Sequence, residues 1–227
     1  MKIRILSFVN RIKKRKILLT IFLFTIMLTV SGCGGSATSS KSRNGCRKIA
    51  EEFFENVEDS DPVTMLGLKD GKANTVYMRS GDNMYINDIA FGLEYYLFIE
   101  DGKKCVLTGS GEVYEDDFNY QLYMDTAGNT VNQYVLNNYD KDAFGEKAKV
   151  KYSASVTNGI AGNESASMIF LTFDCVNENE RSLVEITGIS DGGVVKEIDY
   201  KLTSDAYTMD MVFIFTYDDF TINIPKH

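Results

Sequence analysis

Tyr207-Thr-Met-Asp-Met-Val-Phe-Ile-Phe-Thr-Tyr217 is the most regular stretch of the chain. Tyr207, Met209, Met211, Phe213, Phe215 and Tyr217 take every odd position, and Thr208, Asp210 and Thr216 fall among the even ones. A period of two is the signature of a strand with unlike faces. Eleven residues at 3.2–3.4 Å each span roughly 35 Å, which requires a tall sheet. The phase then slips, because Phe220, Ile222 and Ile224 are even. A tight turn or bulge at Asp218-Asp219 and a last short strand over 220–224 are predicted.

Strand-like runs continue in both directions from this one. Upstream they cover 148–156, 166–175, 182–188 and 194–202, punctuated by Asn158-Gly159, Asn163 and Asp191-Gly-Gly193. Earlier still, 74–79, 83–89, 93–99, 104–108 and 112–114 alternate between Ser80-Gly-Asp82, Asp101-Gly102 and Gly109-Ser-Gly111. Such turns, with glycine supplying positive φ, read as an antiparallel meander. Tyr95-Tyr-Leu-Phe-Ile99 is apolar on both faces and predicts a strand covered on both sides. With two prolines in 227 residues, long strands can donate along their whole ladders.

Two helical regions interrupt the strands. In Cys46–Glu58, Ile49, Ala50, Phe53, Phe54 and Val57 share one face, with Asn44 as a candidate cap and Asp59-Ser-Asp-Pro62 as the stop. Between 115 and 147 the alternation weakens. Val131, Tyr134, Val135 and Tyr139 fit a helical face with Thr130 as a candidate cap, and Phe118 to Leu122 fits helix or strand.

The start of the chain addresses the product. Seven Lys or Arg residues and no acid precede the apolar run 17–30. That is an export-signal pattern, too short for a membrane span of about 20 residues. Val30-Ser31-Gly32-Cys33 resembles a bacterial lipobox, in which a peptidase cuts before the cysteine and the sulfur carries a diacylglyceryl group. The rival is an uncleaved anchor running on through Ala37. Both place the rest of the chain outside the cytoplasm, held at the cell membrane on its extracytoplasmic face. The expected organisation is a signal peptide over 1–32, a flexible small-polar linker over 33–45 and one domain over 46–227. The signal holds seven of the 24 basic residues and none of the 32 acids, so the mature chain carries 17 basic against 32 acidic side chains, a net charge of −15. That balance argues against nucleic acid and against anionic lipid heads. A monomer is expected.

Catalytic constellations are sparse. The one histidine is His227 at the C-terminus, so no His-based triad or His-ligated metal site is expected. Glu115-Asp116-Asp117 and Asp218-Asp219 lack the alternate spacing of a calcium loop and read as solvated acidic turns. Paired carboxylates drawn from distant positions would leave no local signature. No enzyme, cofactor or metal is expected. Cys105 and Cys175 each fall in a strand-like run, as a bridge or as two buried thiols.

Three stretches carry a family resemblance. Asn74–Ile86 resembles an early strand-turn-strand of the LolA-like and LppX-like half-barrel lipoproteins. Tyr95–Lys104 is similar to their hairpin of a tyrosine strand followed by Asp-Gly-Lys. Phe215–Pro225 resembles their last strand closing on a proline. The resemblance implies an α+β fold with one strongly curved antiparallel half-barrel sheet of about 10–11 strands and helices on its concave face. It also implies carriage or sensing of lipid or of an acyl group. The expected ligand-binding residues are Phe53, Phe54, Tyr96, Phe98, Tyr207, Met209, Met211, Phe213 and Phe215, with the odd face of 207–217 joining Tyr96 and Phe98 on the concave side. A Met-rich, aromatic face tolerates a ligand of variable shape. The competing expectation is an envelope interaction or stress-sensing module that binds peptide or protein and has a filled core.

Overall fold

The structure is a computed structural model, described for residues 37–58, 61–124, 126–140, 142–160, 162–178 and 180–226. The signal at 1–32 and Cys33 lie outside the described residues. No helix among the described residues is long and apolar enough to cross a membrane.

The described residues fold as one open sheet of 12 strands, antiparallel throughout. In chain order these are β1 (Ala37–Ser40), β2 (Val63–Lys69), β3 (Lys72–Ser80), β4 (Asn83–Asp88), β5 (Leu93–Glu100), β6 (Lys103–Thr108), β7 (Val113–Glu115), β8 (Lys149–Ile160), β9 (Asn163–Asn177), β10 (Glu180–Asp191), β11 (Val194–Ser204) and β12 (Thr208–Thr216). The spatial order is β1-β8-β9-β10-β11-β12-β2-β3-β4-β5-β6-β7. Two meanders, β2–β7 and β8–β12, are therefore welded along β12 and β2. The weld pairs Phe213 with Gly67 and Phe215 with Met65.

Among the described residues four helical segments accompany the sheet: α1 (Arg43–Glu58), α2 (Asp117–Met124), α3 (Thr126–Tyr134) and a 3₁₀ turn at Leu136–Tyr139. They pack on one face. Cys46, Ala50, Phe54 and Val57 of α1 are buried with Ile169, Leu171, Ile186 and Ile198 of the sheet. Val131, Val135 and Tyr139 join the same cluster, and Tyr120 of α2 packs on Met84, Ile86, Leu97 and Val106. Burying each large side chain contributes roughly 1.5–3 kcal/mol, so this two-layer core carries the fold.

The opposite face is divided. Over β8–β11 it is mixed, with Ser153, Thr172, Glu185 and Lys201 in one polar cross-strand row beside Phe170, Leu183 and Ile189. Over β12 and β2–β6 it is apolar, with Leu66, Val76, Tyr85 and Val212 in one cluster and Phe98, Cys105 and Leu107 in another. The C-terminal segment covers this second half: Phe220, Ile222 and Ile224 pack against it, and Ser80 Oγ donates to the Phe220 carbonyl at 3.2 Å.

Several expectations are corrected. Part of the expected linker is ordered: Ala37–Ser40 pairs with β8, and α1 begins at Arg43. Ser42, not Asn44, caps α1, its Oγ accepting the Gly45 N–H at 3.1 Å. Thr130 lies inside α3 and donates to Met65 Sδ, so it caps nothing. Val63–Lys69 is a strand buried on both faces, which erased its alternation. The even residues 220–224 make no ladder; their alternation comes from an extended chain lying on an apolar sheet face. Phe118 to Leu122 is helix. Cys46, Cys105 and Cys175 are free and buried, and Cys105 and Cys175 face opposite sides of the sheet.

Candidate functional site

Register decides where each expected ligand-binding side chain points. Directly paired residues share a face. Phe215 pairs with Met65, Met65 with Tyr77, Tyr77 with Ile86, and Ile86 with Tyr95. Tyr95 is thus on the helix side with Phe215. Tyr96 and Phe98 point the other way, towards the C-terminal segment. The single concave set of Tyr96, Phe98 and the odd face of β12 is therefore overturned. Tyr95 is the residue that faces the helices, and it stacks on Tyr123 of α2 at 5.4 Å.

The remaining expected residues fill the core. Phe54, Met211, Phe213 and Phe215 are buried together, with Phe53 and Met209 packed at the margin. Phe213 meets Tyr134 of α3 at 4.7 Å, and Tyr134 meets Tyr200 at 5.3 Å. Tyr207 stands apart, 57% exposed, just before β12.

A cavity of about 450 Å³ opens beside Tyr207, between the ends of β9–β11 and the residues Asn138, Ala143 and Phe144. That volume lies in the range of small-molecule sites, about 300–1,000 Å³. Its floor is the outer part of a set of cross-strand rows fixed by register, with Leu171, Ile186 and Phe173 buried in the core behind it. Leu171, Ile186 and Tyr200 form one cross-strand row on the helix face, and Phe173, Val184 and Leu202 the next. Cys175, Ser182 and Ser204 form the row after that, and Glu180 the edge. Side chains two apart on one strand share a face, so β10 presents Val184, then Ser182, then Glu180 to the cavity. The floor passes from apolar to polar along its length. Phe144 supplies the apolar side opposite.

The walls are fixed by hydrogen bonds. Asn177 Nδ2 donates to the Phe144 carbonyl at 3.1 Å, tying the loop before β8 to the end of β9. Asn138 Nδ2 donates to the carbonyls of Tyr134 at 2.8 Å and Val135 at 3.2 Å. The Arg181 backbone N–H donates to the Asp205 carboxylate at 3.1 Å at the rim, while Arg181 Nε and Nη2 donate to Asp174 on the opposite face of the sheet. The guanidinium holds the Asp174 carboxyl below the usual carboxylate range. Burial pushes the Tyr200 phenol up to about 12 and raises the Cys175 thiol, so both are neutral near pH 7. A larger depression of about 560 Å³ adjoins this one, lined by Glu146, Lys147, Asn177, Glu178 and Glu180. It has no apolar floor and suits solvent.

Chemically the groove can hold an apolar chain and solvate its polar end. Of the expected ligand-binding residues only Tyr207 lines it. Phe144, Val184, Tyr200 and Leu202 were missed. Their signal, a fall in polarity from Glu180 through Ser182 and Val184 to Ile186, becomes visible once β10 is known to present its even positions to the helices. No family model, curated protein or solved structure matches the chain.

Proposed function

We propose that this chain is an extracytoplasmic lipoprotein of the LolA-like and LppX-like half-barrel kind, anchored to the cell membrane through a lipidated Cys33. Its 12-stranded open sheet supports that reading, taken as a curved half-barrel with α1, α2 and α3 lining the concave side. The ligand is an amphiphile whose acyl chain lies against the half-buried Phe144 and Leu202, over the buried Val184 and Tyr200, with its polar end among Ser182 and Glu180. The graded floor along β10 is the observation that carries this reading. Uniformly apolar floors suit hydrocarbons, and uniformly polar ones suit sugars or peptides. This one changes character along a single line.

Native mass spectrometry of gently extracted protein, with titration of a fluorescent fatty acid, tests the proposal. Leu202 is half-buried, so Leu202→Gln should weaken binding about tenfold while costing little stability; one buried apolar contact is worth roughly 1–3 kcal/mol. Met211→Ala, in the packed core, should lower stability and leave binding nearly unchanged in the folded fraction. The rival reading, a peptide- or protein-binding module with a full core, rests on the close packing of Met211, Phe213 and Phe215 under the helices. Absence of lipid in every preparation, with no response to added fatty acid, would decide for it.

A further inference from the structure

The groove and the point where the chain leaves the sheet towards Cys33 lie far apart along the strands. Ala37 pairs with Thr157, and Thr157 with Met168. Asn177, which lines the groove, lies nine residues beyond Met168 on the same strand. At about 3.3 Å per residue that separation is about 30 Å. Traced backwards from Ser40 to Ala37, β1 runs away from the groove, because Ser40 pairs with Ala154 and Ala37 with Thr157. From Cys33 to Ala37 are four Cα steps, and a fully extended chain of that length reaches about 14 Å at most.

These two lengths constrain how the groove can be used. If Cys33 is held at a bilayer, standing the strands upright with the groove end on that bilayer would lift Ala37 about 30 Å above it, about twice the reach of the tether. We infer that the groove loads from the aqueous side, taking its amphiphile as a free monomer or from a soluble carrier and never directly from the bilayer that anchors it. The inference rests on the groove reading above and names the source of the ligand. Tyr207, more than half exposed, stands at that end, beside the Asp205 carboxylate that accepts the Arg181 backbone N–H.

The experiment uses the mature lipoprotein in phosphatidylcholine vesicles and a pyrene-labelled long-chain fatty acid. In one arm the probe starts in the anchoring vesicle; in the other it arrives from solution on cyclodextrin. The expected result is rapid loading from cyclodextrin. Loading from the anchoring vesicle should run no faster than the probe's spontaneous desorption, measured on protein-free vesicles. Loading from the anchoring vesicle several-fold faster than desorption would show direct extraction and overturn the inference while leaving the groove intact. No loading in either arm would overturn the groove reading itself.

Discussion

Phe54 of α1 sits on Gly188 of β10 so closely that a Cβ built on the glycine would come within 2.7 Å of Phe54 Cζ, and equally near Ile169 Cγ2. Here the glycine is a matter of space. It leaves a slot into which the helix drops its largest buried ring. Gly188→Ala should destabilise the domain by about 1–3 kcal/mol, since an overpacked core must shift. Phe54→Ala should cost about 3–5 kcal/mol. In chemical denaturation, Gly188→Ala should cost much less when Phe54 is already alanine. Equal costs in the two backgrounds would mean that the two residues do not meet.

The C-terminal segment should be a structural strap. Ile222 is 8% exposed and caps an apolar sheet face without joining a ladder. Ile222→Ala should lower stability by about 2 kcal/mol, at the low end for a buried isoleucine because a segment near the chain end can settle. Removing 218–227 should cost more and create dye-binding apolar surface over Leu66, Val76 and Tyr85. A truncated protein with unchanged melting temperature would contradict this.

Alkali should unfold the protein through its tyrosines. Tyr77, Tyr85, Tyr120 and Tyr200 are pushed up to about 12, chiefly by burial. The folded state therefore holds these protons more tightly than the unfolded chain, whose phenols titrate near 10. Their contribution is complete below pH 10 and is lost as the pH rises towards 12. With no tryptophan in the chain, tyrosinate absorbance can be followed cleanly. The late phenols should ionise together with loss of circular dichroism, and separate transitions would contradict the linkage.

The three thiols of the folded domain should be silent. Cys46, Cys105 and Cys175 are buried, and burial raises the thiols of Cys46 and Cys175, which keeps the reactive thiolate scarce. A thiol reagent should modify none of them in native protein and all of them in denaturant. Rapid labelling of native protein would mean that the sheet opens.

Cys33 is the expected attachment point for lipid, and Cys33→Ala should accumulate uncleaved precursor that takes up no radioactive palmitate. Persistent labelling of that variant would refute lipidation at Cys33.

The legible parts of the fold were those whose pattern and cause coincide. β3–β6 could be read because their turns hold Gly and Asp between alternating runs, and α1 because its stripe is apolar at helical spacing. Ala37–Ser40 could not be read: an edge strand of small polar residues is held by backbone pairing and leaves no mark in side-chain type. Phe220–Ile224 has the period of a strand because any extended chain lying on a flat apolar surface turns alternate side chains towards it. Tyr96 and Phe98 were assigned to the wrong side because the choice between adjacent tyrosines is a matter of register, and one residue of slip exchanges the faces. The groove was illegible for a related reason. Val184, Leu202 and Phe144 are brought together only by pairing across β10 and β11 and by the loop that Asn177 holds.

The weld between β12 and β2 imposes an order of events. Residues 64–69 find their partners at 211–216, so the first meander stays an unfinished edge until nearly the whole chain is present. Contacts of such sequence separation form slowly, because a long loop must close before they contribute. A protein threaded across a membrane from its N-terminus would emerge with α1 and β2–β7 well before β12 arrives. Its exposed strand edge would meanwhile be open to other chains. For a chain exported as proposed above, the vulnerable stage is thus the interval of secretion, and its end is marked by the delivery of the final twenty residues or so.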